Sequence, residues 1–139
     1  MQHKTLVDLV CNYPKERENQ DVLKFLNSNG DLDCSLTFKE LELRCQNFAQ
    51  NIFQFSKTRE LVIIAVASQE DFVVSFFGCL LAGKIPAPIA PLLHKRNQIS
   101  WGKLGNILKQ QPQAALLIRE SEYQSVSTFL EEQGLASTR

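Results

Sequence analysis

"LVIIAVASQEDFVVSFFGCLLAGKIPAPIAP", Leu61 to Pro91, decides the fold of this 139-residue chain. It opens with a continuous apolar run rich in β-branched residues, the pattern of a strand buried on both faces, as in parallel sheets. Ser68 then caps a helix, and Glu70 and Asp71 stand in its first turn, where the helix dipole favours carboxylates. "FVVSFFGCLLAG" is apolar on nearly every side, so this helix packs against more than one neighbour. Gly83 ends it in the left-handed residue that helix termini favour. "IPAPIAP" follows as a short extended segment. Pro86, Pro88 and Pro91 cannot donate to a sheet ladder, which confines it to an edge or to irregular pairing.

Downstream, "NQISWGKLGNILKQQ" reads as an amphipathic helix, "AALLI" as a buried strand and "SEYQSVSTFLEEQG" as a final helix. The order strand–helix–strand–helix–strand–helix predicts parallel strands joined by right-handed crossovers. Upstream, Thr5 and Asp8 form a capping box at the start of a short helix that stops before Pro14. "DVLKFLNSNGDLDCSLTF" reads as a hairpin from Val22 to Leu26 and back through Leu36, with Asn29-Gly30 in its turn. Thr37 and Glu40 make a second capping box. The helix behind it carries Phe38, Leu41, Cys45, Phe48 and Ile52 on one stripe, with Glu42, Arg44 and Gln46 turned to water. The expected organisation is thus an α/β chain. Residues 1–57 hold a helix, hairpin and capped helix, and residues 58–139 form a βαβαβα unit.

Composition narrows the function classes. Fifteen basic residues balance fifteen acidic ones, so no net field draws in nucleic acid or an acidic membrane surface. No run of about 18 apolar residues occurs. The N-terminal twenty residues lack the small-residue cleavage site of a signal peptide. Cys11, Cys34, Cys45 and Cys79 are widely and irregularly spaced, and neither His3 nor His94 stands at zinc-site spacing from a cysteine. Four core or surface thiols in a reducing, cytoplasmic setting are expected.

One motif invites a catalytic reading. "GCLLAGK", Gly78 to Lys84, matches G-x-x-x-x-G-K of the phosphate-binding loop, with Ile85 where Ser or Thr would hold magnesium. A true phosphate loop follows a strand and opens a helix, so that amides and the positive end of the dipole face phosphate. Here the motif closes a helix. Gly78 is expected to permit close helix packing, Gly83 to cap, and Lys84 to complement the negative helix end. The remaining candidates have structural readings too. Glu70 and Asp71 are helix-start charges rather than an acid/base pair or a magnesium site. Ser75 is back-bonded to its own helix. Trp101 packs beside Leu104 and Leu108 rather than stacking on a base. His94-Lys95-Arg96 is a solvated loop rather than an anion site. No catalytic, cofactor-binding or metal-binding residue is assigned.

"SLTFKELELRCQNFAQNI", followed by the Leu61–Pro91 stretch, resembles the start of the adenylate-forming (AMP-binding) enzymes. These include acyl- and aryl-CoA synthetases and nonribosomal adenylation domains. In that family a "TFxEL" helix precedes a buried strand, an apolar helix ending "GCLxAG", and a proline-bearing strand. Pro86, Pro88 and Pro91 are most similar to the "PxPxxP" pattern of fatty acyl-AMP ligases, including those that load polyketide and peptide synthases. "KLGNILKQQPQAALLI" resembles their next helix and strand. The resemblance covers nearly the whole chain from Thr5. It implies an ATP- and magnesium-dependent ligase that activates a fatty or related acid as acyl-AMP for transfer to a carrier-protein or CoA thiol. The family's phosphate-handling, ribose-binding and late lysine motifs have no counterpart here. The expectation is therefore an N-terminal fragment of the AMP-binding domain, inactive alone, whose partner is the remaining ligase. A non-catalytic α/β interaction module, or one half of a split ligase docking through apolar surface, is the alternative.

Overall fold

The computed structural model describes residues 5–55, 60–92 and 98–135. Helix α1 (Leu6–Cys11) begins at the expected capping box: the Asp8 amide donates to Thr5 Oγ1 (3.3 Å) and the Thr5 amide to Asp8 Oδ2 (2.9 Å). Strands β1 (Asp21–Leu26) and β2 (Leu32–Thr37) pair antiparallel, with Leu23 opposite Leu36 and Phe25 opposite Cys34. Gly30 supplies the positive φ of the turn, 86°. Asn27, which the sequence reading passed over, organises it: its Oδ1 accepts from the amides of Asn29 and Asp31, the local bonding that makes Asn a turn former.

Helix α2 (Phe38–Phe55) starts at the second capping box, where the Glu40 amide donates to Thr37 Oγ1 and the Thr37 amide to Glu40 Oε2. Leu41, Cys45 and Ile52 of its stripe are buried, with Phe48 half-buried beside them. Its other face carries the expected polar side chains, two of which also have tertiary partners. Glu42 is not simply solvated: it accepts a 2.5 Å bond from Tyr13 Oη and a second from Gln46 Nε2. The bond to Glu42 pushes the Tyr13 phenol up to about 12. Arg44 is paired with Glu70. Arg44 and Gln46 are exposed as expected, while Glu42 and Arg44 also tie α2 to neighbouring elements through Tyr13 and Glu70.

The second half is a three-stranded parallel sheet ordered β4-β3-β5. Its strands are β3 (Leu61–Ile64), β4 (Ile85–Pro88) and β5 (Ala115–Leu117), each shorter than the extended run in the sequence. Central β3 is buried on both faces: Val62, Ile63, Ile64 and the following Ala65 are each 0% exposed. Val62 and Ile64 point to one side, where α3 (Gln69–Leu81) and α2 supply Cys79, Phe72, Phe76, Phe48 and Ile52. Ile63 and Ala65 point to the other, against Leu104 and Leu108 of α4 (Gln98–Gln110) and Val126 of α5 (Tyr123–Glu132). This period-two division explains why the run is apolar at every position. The crossovers β3→β4 and β4→β5 run in opposite directions and carry their helices on opposite faces, as two connections of one hand must.

Helix α3 is apolar all round because it is the centre of the molecule. One side meets the sheet, while Val73, Val74, Phe77 and Leu81 meet Val10, Phe25, Leu36 and Cys45 of the N-terminal half. Gly78 sits at the crossing with α2; a Cβ there would lie 2.5 Å from Phe48 Cδ1. The last predicted helix is interrupted at its start: Glu120–Glu122 is a 3₁₀ turn and the α-helix begins at Tyr123.

Candidate functional site

The Gly78–Lys84 motif closes α3 in a Schellman cap. The Lys84 amide donates to Cys79 O (2.8 Å), the Gly83 amide to Leu80 O (3.1 Å) and the Ala82 amide to Gly78 O (3.0 Å). Gly83 takes φ +69°, as such a cap requires. Each of these amides is spent on the helix's own carbonyls and is not free to cradle a phosphate. Lys84 follows the helix end as expected, but it is buried. It is 8% exposed, its stem packed inside and its Nζ 5.9 Å from the centre of the Phe53 ring, an arrangement in which a cation meets the negative face of an aromatic.

The other sequence candidates occupy structural positions. Ser75 Oγ donates to Phe72 O (3.0 Å) within α3. Ser68 Oγ accepts from the Asp71 amide (3.2 Å) and caps the helix. Glu70, instead of standing beside Asp71 as a pair, reaches back to the N-terminal half. It is paired with Arg44 of α2 and accepts from Cys34 Sγ of β2 (3.3 Å). Three elements are thereby joined at one carboxylate. Trp101 packs on Phe129 with ring centres 4.9 Å apart, and its buried Nε1 has no hydrogen-bond partner among the described residues. His3 and His94-Lys95-Arg96 lie outside the described residues. Among those described, no three His, Cys, Asp or Glu side chains come together to hold a metal, and no helix is long and apolar enough to cross a membrane.

All four cysteines are free thiols. Burial pushes Cys45 up to about 12 and Cys79 up to about 11, with nearby Cys11 adding to the first and Lys84 offsetting part of the second. Since the thiolate is the reactive form, Cys45 and Cys79 should resist an aromatic disulfide reagent at pH 8. Half-buried Cys34 should react first. Mass spectrometry of the native and urea-unfolded chain checks this; rapid native labelling of Cys45 would contradict the packing described.

Topology points to a different place. In open α/β sheets, ligand crevices form outside the carboxyl ends of the strands, where neighbouring connections leave in opposite directions. Here that point lies between the ends of β3 and β5. An open depression beside it is lined by Ile118, Arg119, Glu120, Tyr123 and Gln124. The sequence reading passed over these residues, although their place in a strand-to-helix turn was the available signal. The depression has one cationic, one anionic, one aromatic, one amide and one aliphatic side chain, but no glycine-rich cradle.

No protein-family model and no curated protein sequence matches the chain. Solved structures do. Among them is one from structural and functional studies of fatty acyl-adenylate ligases from E. coli and L. pneumophila, with 20% identity and a TM-score of 0.74 over 94% of this chain and 23% of that one. A fatty acyl-adenylate ligase from L. pneumophila in complex with acyl adenylate and pyrophosphate matches at 24% identity and TM-score 0.71, over 88% and 21%. The adenylation domain of a keto acid-selecting nonribosomal peptide synthetase module, bound to keto acyl adenylate, matches at 15% and 0.77, over 96% and 24%. The chain has the fold of the N-terminal part of an adenylate-forming enzyme. It spans under a quarter of the length of each of these structures.

Proposed function

We propose that this chain is the scaffold portion of an ATP-dependent carboxylate–AMP ligase that activates a fatty or related acid as acyl-AMP. Transfer to a carrier-protein or CoA thiol would follow. The observation that carries the reading is the fold match to a ligase in complex with acyl adenylate and pyrophosphate over 88% of the chain, and to an adenylation domain bound to keto acyl adenylate over 96%. The three prolines favour the fatty acyl-AMP ligase branch. ATP and magnesium would be handled by the rest of such an enzyme. Stabilising charge that develops on a reacting phosphate needs preorganised donors, and the described Gly78–Lys84 amides are committed to α3. In this reading, α3 and its neighbours hold β3 and β5 rigid, and no side chain described here performs chemistry.

The exposed apolar side chains favour docking to further protein. Phe53, Phe55 and Ile99 are 55%, 66% and 73% exposed. The apolar α3, on which a docking surface could have been based, is covered by its own chain.

The reading is tested by pyrophosphate exchange. The purified chain should give no fatty acid-dependent exchange of pyrophosphate into ATP, and should bind ATP–magnesium no tighter than about millimolar by calorimetry. The same chain grafted in place of the matched segment of the L. pneumophila ligase should restore exchange. A folded graft without exchange would sink the ligase reading. Micromolar ATP binding by the chain alone would show that it contains a nucleotide site of its own.

A further inference from the structure

Helix α2 carries an exposed face without charge. The chain as a whole is 22% charged, and the first half of α2 follows suit with Lys39, Glu40, Glu42 and Arg44. Residues 45–55 hold no charged side chain. Their exposed positions are five amides, Gln46, Asn47, Gln50, Asn51 and Gln54, and the phenylalanines Phe53 and Phe55. A solvated helix face is ordinarily where lysine, glutamate and arginine collect. Protein interfaces are instead depleted in charge at their centre and enriched in aromatic residues. Packing within the chain does not account for this composition, because the buried stripe of α2 is the opposite one, Leu41, Cys45 and Ile52.

Leu43, Asn47, Gln50 and Gln54 run down the middle of this face at steps of four, three and four, the seam spacing of two packed helices. Leu43, 57% exposed, stands at one end of the seam, and Phe53 and Phe55 at the other. None of Asn47, Gln50 and Gln54 has a side-chain hydrogen bond among the described residues. The missing charge points to the occupant. In a contact between two copies about a two-fold axis, residues near the axis meet their own kind. A charge there meets a like charge, whereas an amide holds donor and acceptor together and is complementary to itself. An antiparallel pair also opposes the helix dipoles, and it sets Leu43 of each copy against the other's phenylalanines.

We propose that α2 is a self-association face: two copies of this chain pack their α2 helices antiparallel, with amides on amides at the centre and Leu43 on Phe53 and Phe55 at each end. The inference stands apart from the ligase reading, since it uses only the composition and exposure of α2. A seam of one helix from each copy belongs to the small, reversible end of protein interfaces, so half-association is expected at about 10–100 µM.

Analytical ultracentrifugation of the full chain tests this. Across about 5–500 µM the average mass should rise from the 15.8 kDa of one chain toward twice that value. Gln50→Glu and Gln50→Lys each set like charges together near the axis and should weaken association at least about tenfold. Their melting temperatures should match that of the unaltered chain, because residue 50 is exposed. An equimolar mixture of the two variants should associate at least as well as the unaltered chain, since each contact then joins opposite charges. Ile99→Glu, on α4 across the sheet from α2, should change nothing. A chain that stays monomeric throughout would overturn the proposal. So would association that both Gln50 variants leave intact, or that Ile99→Glu weakens as much, because the contact would then lie elsewhere. Failure of the mixture to recover would overturn the two-fold pairing of α2. The ligase reading is judged separately by exchange in the graft.

Discussion

Gly78→Ala should destabilise the protein by about 1–3 kcal/mol, although alanine in a helix interior is normally about 1 kcal/mol better than glycine. The sign is decided at the α2–α3 crossing. The added methyl would lie 2.5 Å from Phe48 Cδ1, 3.0 Å from its Cβ and 3.1 Å from its Cγ. Moving the ring tip alone does not relieve a clash that includes Phe48 Cβ, so the helices must separate. Gly78 is buried and Phe48 packs against the sheet cluster, which leaves little slack nearby. Separation would open contacts in both clusters that α3 holds together. Gly78→Leu should cost more, enough to threaten a fold whose total stability is on the order of 5–15 kcal/mol. Urea denaturation of Gly78→Ala, Phe48→Ala and the double variant checks the mechanism. The double variant should recover much of the loss expected from adding the two single changes. Strict additivity, or stabilisation by Gly78→Ala, would show that the crossing is looser than described.

Ile63→Ala should cost about 3–4 kcal/mol, toward the upper part of the range for deleting buried aliphatic carbons. Ile63 is 0% exposed at the centre of β3, with Leu104 and Leu108 of α4 and Val126 of α5 in its cluster. Its strand is hydrogen-bonded on both sides, which limits how far the backbone can collapse into the void. The control is Ile99→Ala on α4. That side chain is 73% exposed, and its loss should stay within about 0.5 kcal/mol. Thermal and urea unfolding of both variants, measured together, separates a cavity effect from a general sensitivity to losing isoleucine. Equal losses would contradict the two-faced burial of β3.

The elements that could be read along the chain are those whose cause is local. The capping boxes at Thr5–Asp8 and Thr37–Glu40 and the Ser68 cap span three residues, so spacing alone specifies them. The unbroken apolar run at Leu61 announced a strand buried on both faces. The prolines announced an edge. Dismissal of the phosphate-loop motif also followed from order alone, because a loop that ends a helix presents carbonyls rather than amides.

What the tertiary structure alone decided were the relations between distant residues. No spacing rule links Glu70 to Arg44 and Cys34, or Tyr13 to Glu42, because such pairs depend on how α3 and α1 cross α2. Burial of Lys84 was illegible for the same reason. Its sequence neighbours mark a helix end, which is normally exposed, and only the return of β4 and the reach of Phe53 enclose it. Strand order was likewise silent in the sequence. Alternating strands and helices predict a parallel sheet but not which strand is central; β3 takes that place, with Val62 to Ala65 fully buried between the two helical layers. The edge character of Pro86 and Pro88 acquires its meaning from that order, since an outward position is defined only once its neighbour in the sheet is known.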